Sequence, residues 1–323
     1  MSKAVYLETH GGPEGFVLRD HDLPAPGFGQ IQLRHHAIGL NFIDIYQRKG
    51  LYPVALPGVL GSEAAGVVEA IGDGVTGFAP GDRVACLHSS GAYAERANGA
   101  AVLCAKVPDG VSDEAAAAIF LKGLTAEMLV RQVYPLKAGD ACLVHAAAGG
   151  VGTLLCQWAK HIGARVIGVV GSPEKEEIAR ENGADDIILR TQTDNIASEV
   201  RRLTDQNGVD VVYDSVGEAT FEASLDSLAL RGHMVSFGNA SGPVPAVAPL
   251  ELMRRGSLTL SRPSLFHYAT PERLPAMAAA LFDMVAKGAL RPRVKHQFPL
   301  SDVAGAHRLL ESGKSAGAIV LKP

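Results

Sequence analysis

The chain has 323 residues, of which 47% are hydrophobic and 20% charged, and its formal net charge is -4. At roughly 100–200 residues per domain, this length holds about two packed cores, and the composition excludes a mainly disordered or collagen-like chain. The acidic balance argues against broad electrostatic binding to nucleic acid or anionic lipid.

The N-terminal stretch Ser2-Lys3-Ala4-Val5-Tyr6-Leu7-Glu8 lacks the apolar core of a signal peptide. Cys86, Cys104, Cys142 and Cys156 form no C-x-x-C pair. That spacing suits bystander thiols in a reducing compartment better than a disulfide scaffold or a four-cysteine zinc lobe. The expected location is cytoplasmic. About the first 120 residues are rich in Gly and Pro, with short strands expected at Ile31–His36, Ala64–Ile71 and Arg83–Leu87. Pro24, Pro26, Pro53, Pro57 and Pro80 punctuate them, which indicates a β-rich domain with irregular loops.

The middle of the chain changes rhythm. Apolar runs at Ala141–His145, Arg165–Val170, Asp186–Leu189, Asp210–Asp214, Gly232–Phe237 and Ser257–Ser261 start 21 to 25 residues apart, the spacing of alternating strand and helix. Between the first two runs, Val151, Leu154, Leu155, Trp158, Ala159 and Ile162 fall on one helical face. Ser172-Pro173-Glu174 reads as a helix start with Pro in the first turn, and Asn182-Gly183 as its stop. Six such strands, apolar on both faces, predict an α/β fold with a doubly wound parallel sheet of Rossmann type. A helix near Pro271–Lys287, another near Ser301–Ser312 and a strand at Ala316–Leu321 complete the chain. The organisation expected is a β-rich domain built from residues 1–122 and 263–323, with a nucleotide-binding domain, 123–262, inserted in it. A cleft between the two is the default ligand site.

The segment Ala141–Ala159 carries no Asp, Glu, Lys or Arg and approaches the length of a membrane span. Gly149, Gly150 and Gly152 at its centre indicate a strand, a glycine turn and a helix instead, so no membrane partner is expected. The turn Ala147-x-Gly149-x-x-Gly152 matches the dinucleotide fingerprint, with Ala in place of the first Gly. Gly149 lets the backbone approach a pyrophosphate, Gly152 lets helix and strand pack closely, and the helix N-terminus offers N–H groups to phosphate. An NAD site carries Asp or Glu about 20 residues beyond such a turn. Ser172 stands there, Lys175 follows, and Arg190 lies past the third strand. A hydroxyl with cations suits a 2′-phosphate, so NADPH is expected over NADH. The alternative for Lys175 and its neighbours is a solvated helix start.

Several longer strings carry a resemblance. They are Asn41-Phe42-Ile43-Asp44-Ile45-Tyr46 with Arg48, Gly50 and Tyr52, Gly61-Ser62-Glu63-Ala64-Ala65-Gly66, Lys122-Gly123-Leu124-Thr125 and His145-Ala146-Ala147-Ala148-Gly149-Gly150-Val151-Gly152. Tyr213-Asp214-Ser215-Val216-Gly217, Ser236-Phe237-Gly238-Asn239 and Arg262-Pro263-Ser264-Leu265 complete them. Together they resemble the zeta-crystallin-type quinone oxidoreductases, a zinc-free branch of the medium-chain dehydrogenase/reductase superfamily, along nearly the whole chain. The resemblance implies a GroES-like fold for the β-rich domain. It implies that Asn41, Thr125, Phe237, Gly238, Asn239, Ser264 and Leu265 surround the nicotinamide half of the cofactor. Gly149, Gly150 and Val151 meet the pyrophosphate, Gly217 lies along the groove, and Ser172, Lys175 and Arg190 meet the adenosine phosphate. The family's basic residue near the C-terminus falls at Gly313, beside Lys314.

Zinc enzymes of the superfamily place Cys at the position of Asn41 and His at that of Ser62. With neither ligand, no metal is expected, since a catalytic zinc needs three protein ligands. A quinone accepts electrons without a Lewis acid, so the protein chiefly binds and orients while the nicotinamide does the chemistry. Tyr46 and Tyr52, with Asn41, are the candidates at the acceptor. Each tyrosine can stack on a flat ring and donate to a quinone oxygen, or else pack in the core. Asp44 and Glu63 read as a buried network rather than as catalysts. The leading reading is an NADPH:quinone oxidoreductase, with hydride and single-electron transfer both open. Alternatives are a 2-alkenal or enone reductase and, more remotely, a non-catalytic RNA-binding or crystallin-like role. Pairing of the last sheet strand with its twin predicts a homodimer or homotetramer.

Overall fold

The structure, a computed structural model, describes residues 2–323. Two compact units are present. One comprises residues 2–124, Ala269–Gly288 and Pro292–Pro323, and the other Thr125–Tyr268 with Ala289–Arg291.

The chain begins with β1 (Ser2–Leu7), β2 (Phe16–His21), β3 (Gln30–Gly39), α1 (Phe42–Arg48), β4 (Gly58–Val59) and β5 (Glu63–Ile71). There follow β6 (Arg83–Leu87), β7 (Arg96–Ala100), β8 (Cys104–Lys106) and α2 (Asp113–Met128). The second unit then runs β9 (Ala141–His145), α3 (Gly150–Ile162), β10 (Arg165–Val170), α4 (Glu174–Glu181), β11 (Asp186–Leu189) and α5 (Ile196–Leu203). It continues with β12 (Val209–Asp214), α6 (Phe221–Asp226), β13 (Leu228–Ser236), α7 (Pro249–Arg254), β14 (Thr259–Ser261) and α8 (Leu265–Tyr268). The first unit resumes with α9 (Leu274–Ala286), β15 (Val294–Pro299), α10 (Val303–Glu311) and β16 (Ala318–Lys322).

In the first unit a seven-stranded sheet has the order β15-β16-β3-β5-β6-β8, with β7 pairing the free part of β3. A smaller sheet, β2-β1-β4, lies in the same unit. Period-two alternation is clear in β3, where Ile31, Leu33, His35 and Ala37 are buried and the residues between them are more open through Arg34 and His36. Val5, Leu7, Ile38, Leu40, Leu60, Tyr93, Val303 and Leu321 form its main core. The second unit is a six-stranded, all-parallel sheet of order β11-β10-β9-β12-β13-β14. That is the doubly wound arrangement read from the apolar runs. Leu143, Ile167, Val169, Val212 and Met234 build its core with Phe221 and Leu225. The apolar face of α3 packs as its periodicity requires, with Leu154, Leu155, Trp158 and Ala159 all buried.

Among the boundaries that differ from those expected, three have local reasons. The fifth strand starts at Leu228 rather than Gly232, because Leu228 pairs with Val209 before Arg231, at φ 63°, shifts the register. The sixth starts at Thr259 rather than Ser257, since Gly256 and Ser257 both hold positive φ in a turn. At the start of α4 it is Pro173, not Ser172, that occupies the cap position, and the Ser172 hydroxyl bonds the Glu174 carboxylate. Among the described residues no helix is long and apolar enough to cross a membrane.

Candidate functional site

In the second unit, β9 runs into Ala146, which adopts φ 51°, and Gly149 caps α3. A Cβ on Gly152 would lie 2.2 Å from the Ala146 carbonyl oxygen, so only glycine allows α3 to rise this close to the strand end. At Gly149 the tightest neighbour of such a Cβ is 3.1 Å away, and Gly149, Gly150 and Val151 remain partly exposed. The first turn of α3 therefore presents its backbone N–H groups at an accessible, electropositive helix end. This donor set and the glycine opening fit a dinucleotide pyrophosphate.

The paired ends of β10 and β11, Val170 and Leu189, bring Ser172 and Arg190 to the same edge of the sheet. The Arg190 guanidinium lies 3.9 Å from the point where Gly171 would carry a Cβ. Lys175 donates its backbone N–H to the Ser172 carbonyl at 3.1 Å, and burial lowers its ammonium pKa. The three residues named for the adenosine phosphate thus lie together, with the acidic Glu174 beside them.

The β12–α6 turn is organised by Asp214, a residue to which its sequence position alone assigns no role. Its buried carboxylate accepts from the N–H groups of Val216 (2.7 Å) and Gly217 (3.1 Å) and from the hydroxyls of Thr220 and Ser224 (2.7 Å each). Ser224 in turn meets His145 Nε2 at 2.9 Å, which makes His145 a packed, hydrogen-bonded residue of β9. Gly217, at φ 93°, lies where a Cβ would be 2.4 Å from the Gly242 carbonyl, and one on Gly238 would be 2.3 Å from that of Ser215. Both glycines permit close passage of backbone at the strand ends. Asn239 accepts from Arg262 Nη2 at 3.1 Å. Phe237, Asn239 and Ser264 are partly exposed, while Leu265 and Thr125 are buried.

In the first unit, Asn41 caps α1 and its backbone N–H donates to Asp44 Oδ2 at 2.9 Å. Its side-chain amide donates to Glu63 Oε1 at 2.9 Å. The same carboxylate accepts from Lys122 Nζ at 2.5 Å and from the Leu121 N–H at 2.6 Å, and both Glu63 and Lys122 are buried. Asp44 is fully buried and also accepts from Ser62 Oγ at 2.7 Å and Tyr93 at 2.9 Å. Burial raises its pKa to about 6, against the lowering effect of those hydrogen bonds. Tyr93 continues to His307 Nε2 at 3.0 Å, and His307 Nδ1 meets Arg48 Nη1 at 3.3 Å. Arg48, 1% exposed, closes on Glu311 at 2.7 Å. Tyr93 and His307 carry no local signature, and their meeting with Arg48 comes from three distant segments. Tyr46 is buried and Tyr52 half-buried, and their rings meet edge-to-face at 5.3 Å.

Residues 27–136 match the family described as alcohol dehydrogenase GroES-like domain, and residues 150–284 that described as zinc-binding dehydrogenase. The second description implies a metal, but the residues here do not fit one. Asn41 offers an amide already committed to Glu63, Ser62 a hydroxyl committed to Asp44, and the Glu63 charge is met by Lys122. A Pseudomonas aeruginosa quinone oxidoreductase is 48% identical over all of both chains. A 2-haloacrylate reductase from Burkholderia sp is 42% identical, covering all of this chain and 99% of its own. The crystal structure of Escherichia coli quinone oxidoreductase complexed with NADPH superposes with a TM-score of 0.97 at 42% identity, covering 99% of this chain and all of that one. At such identities over its whole length, the chain belongs to the quinone oxidoreductase family of the medium-chain dehydrogenase/reductase superfamily.

Proposed function

We propose that this protein is an NADPH-dependent quinone oxidoreductase that works without a metal ion. The observation that carries the reading is the 48% identity, end to end, with a quinone oxidoreductase. NADPH as cofactor is supported by the glycine turn of α3, by Ser172 in place of a carboxylate, and by the NADPH complex of a structural relative. When bound, the dihydronicotinamide supplies the reducing electrons.

The chain's own residues bind and orient. Gly149, Gly150 and Val151 hold the pyrophosphate through backbone N–H groups. Ser172, Lys175 and Arg190 take the 2′-phosphate, and Gly217 and Gly238 keep the adjacent strand ends low. Thr125, Phe237, Asn239, Ser264 and Leu265 line the nicotinamide part in the second unit. In the first, Asn41 is held by Glu63, and Tyr46 and Tyr52 offer an aromatic face with hydroxyl donors to the acceptor. A second reading, reduction of an activated alkene, is favoured by the 42% identity with a 2-haloacrylate reductase. Steady-state NADPH oxidation with a naphthoquinone, a 2-alkenal and 2-chloroacrylate tests both. Quinone turnover dominating supports the first, and alkene turnover dominating replaces it with the second.

We also propose a homodimer formed along β14, in a reducing cytoplasm. β14 is the outermost strand of its sheet, and Leu230 and Met253 are exposed at 78% and 57%. Four free thiols fit that compartment. A monomeric mass by light scattering overturns the dimer.

A further inference from the structure

Two cysteines face each other in the first unit. Cys86 on β6 and Cys104 on β8 are direct partners in an antiparallel register. Opposed residues in such a pair have Cα atoms about 4.5–5.5 Å apart, inside the roughly 4.4–6.8 Å that a disulfide spans. Their sulfurs lie 2.8 Å and 3.9 Å from the single point where Gly99 would carry a Cβ, and His88 Cε1 lies 3.3 Å from it. Gly99 thus leaves room for a three-residue cluster of two thiols and an imidazole.

The cluster is asymmetric. His88 is buried, its Nε2 has no hydrogen-bond partner, and its ring meets His35 edge-to-face at 5.7 Å. Burial acts to raise the Cys86 pKa, but the neighbouring Cys104 and His88 outweigh it and lower the value. Burial and the neighbouring Cys86 raise that of Cys104. As a thiol, Cys86 has only the Leu87 carbonyl, at 3.4 Å, as acceptor. Cys86 is fully buried, and Cys104, 8% exposed, lies on β8, a three-residue strand at the sheet edge whose local opening would expose both thiols.

We propose that Cys86 and Cys104 form a peroxide-reactive dithiol, with Cys86 as the attacking thiol, Cys104 as the resolving one and His88 as the proton acceptor. His88 takes the Cys86 proton. The Cys86 sulfur attacks the O–O bond of a hydroperoxide, becomes a sulfenic acid and releases an alkoxide or hydroxide, which His88 protonates. Cys104 then attacks the sulfenic sulfur, the S–S bond closes and water leaves. Two thiols lose two electrons, and one hydroperoxide gains them.

The test is exposure of the reduced native protein to hydrogen peroxide, then alkylation in denaturant and peptide mapping. The expected result is a linked Cys86–Cys104 peptide lacking two hydrogens, formed while Cys142 and Cys156 still alkylate. Cys104→Ser should retain a dimedone-reactive sulfenic acid at Cys86, and Cys86→Ser should leave Cys104 free. Four alkylatable thiols after treatment, or loss of Cys142 and Cys156 as fast as the pair, overturns the proposal.

Discussion

Tyr93 donates its hydroxyl proton to Asp44 at 2.9 Å while meeting His307 Nε2 at 3.0 Å, which ties α1 to α10 through one phenol. Because that proton points at the carboxylate, His307 must donate from Nε2 and accept at Nδ1 from Arg48. His307 is therefore neutral, in keeping with burial and the Arg48 charge lowering its pKa to about 3. One orientation of every donor satisfies the whole chain of buried groups.

The network gives stability a pH signature with opposing signs. Asp44 binds its proton more tightly when folded, so its contribution is complete below an unfolded value of 3.8 and is lost as pH rises to about 6. The size of that loss is about 3 kcal/mol. His307 and His35, both lowered to about 3, act oppositely and lose their contribution as pH falls from 6.5. Asp44→Asn should remove the slope that opposes the one from these histidines. Urea midpoints between pH 4 and 6 should then rise more steeply with pH in the variant than in the parent, and equal slopes would remove Asp44 from this account.

Glu63 and Lys122 form a buried ion pair at 2.5 Å. Removing one partner strands a buried charge, so Lys122→Met should cost about 3–5 kcal/mol in chemical denaturation. Adding Glu63→Gln should recover much of that loss. A double variant no more stable than Lys122→Met would show that the pair is not coupled.

The two turn glycines should separate folding from binding. Gly152→Ala puts a methyl 2.2 Å from the Ala146 carbonyl and should cost about 1–3 kcal/mol of stability. Gly149→Ala, with 3.1 Å to its nearest neighbour, should keep near-parental stability and weaken NADPH binding measured by fluorescence titration. Unchanged affinity in Gly149→Ala would move the pyrophosphate elsewhere.

Lys175→Ala and Arg190→Ala should each lower kcat/KM for NADPH by about tenfold to a hundredfold, the worth of a charge-assisted hydrogen bond. NADH kinetics should change little. Equal loss with both cofactors would mean that these residues do not read the 2′-phosphate.

Tyr46→Phe and Tyr52→Phe remove one hydroxyl each from rings that meet at 5.3 Å. If either donates to the acceptor, kcat/KM for a naphthoquinone should fall roughly two- to tenfold. Unchanged values in both variants would assign the pair to packing alone.

The six-stranded sheet of the second unit was legible without coordinates because its signals are local. Val- and Ile-rich runs such as Arg165–Val170 recur at strand–helix spacing, and Gly149 and Gly152 mark the turn where α3 begins. The position of Ser172 twenty residues later could likewise be counted along the chain. Tertiary structure decided what local pattern does not encode. At the start of α4 the Ser172 hydroxyl bonds the Glu174 carboxylate, and between β12 and β13 the register shifts beside Arg231. Above all, Asp44, Tyr93 and His307 are separated by 49 and 214 residues along the chain, yet share hydrogen bonds near 3 Å. Burying a charge demands a partner wherever the fold can supply one. Which distant side chain meets that demand is a property of the packed molecule, not of any window of its sequence.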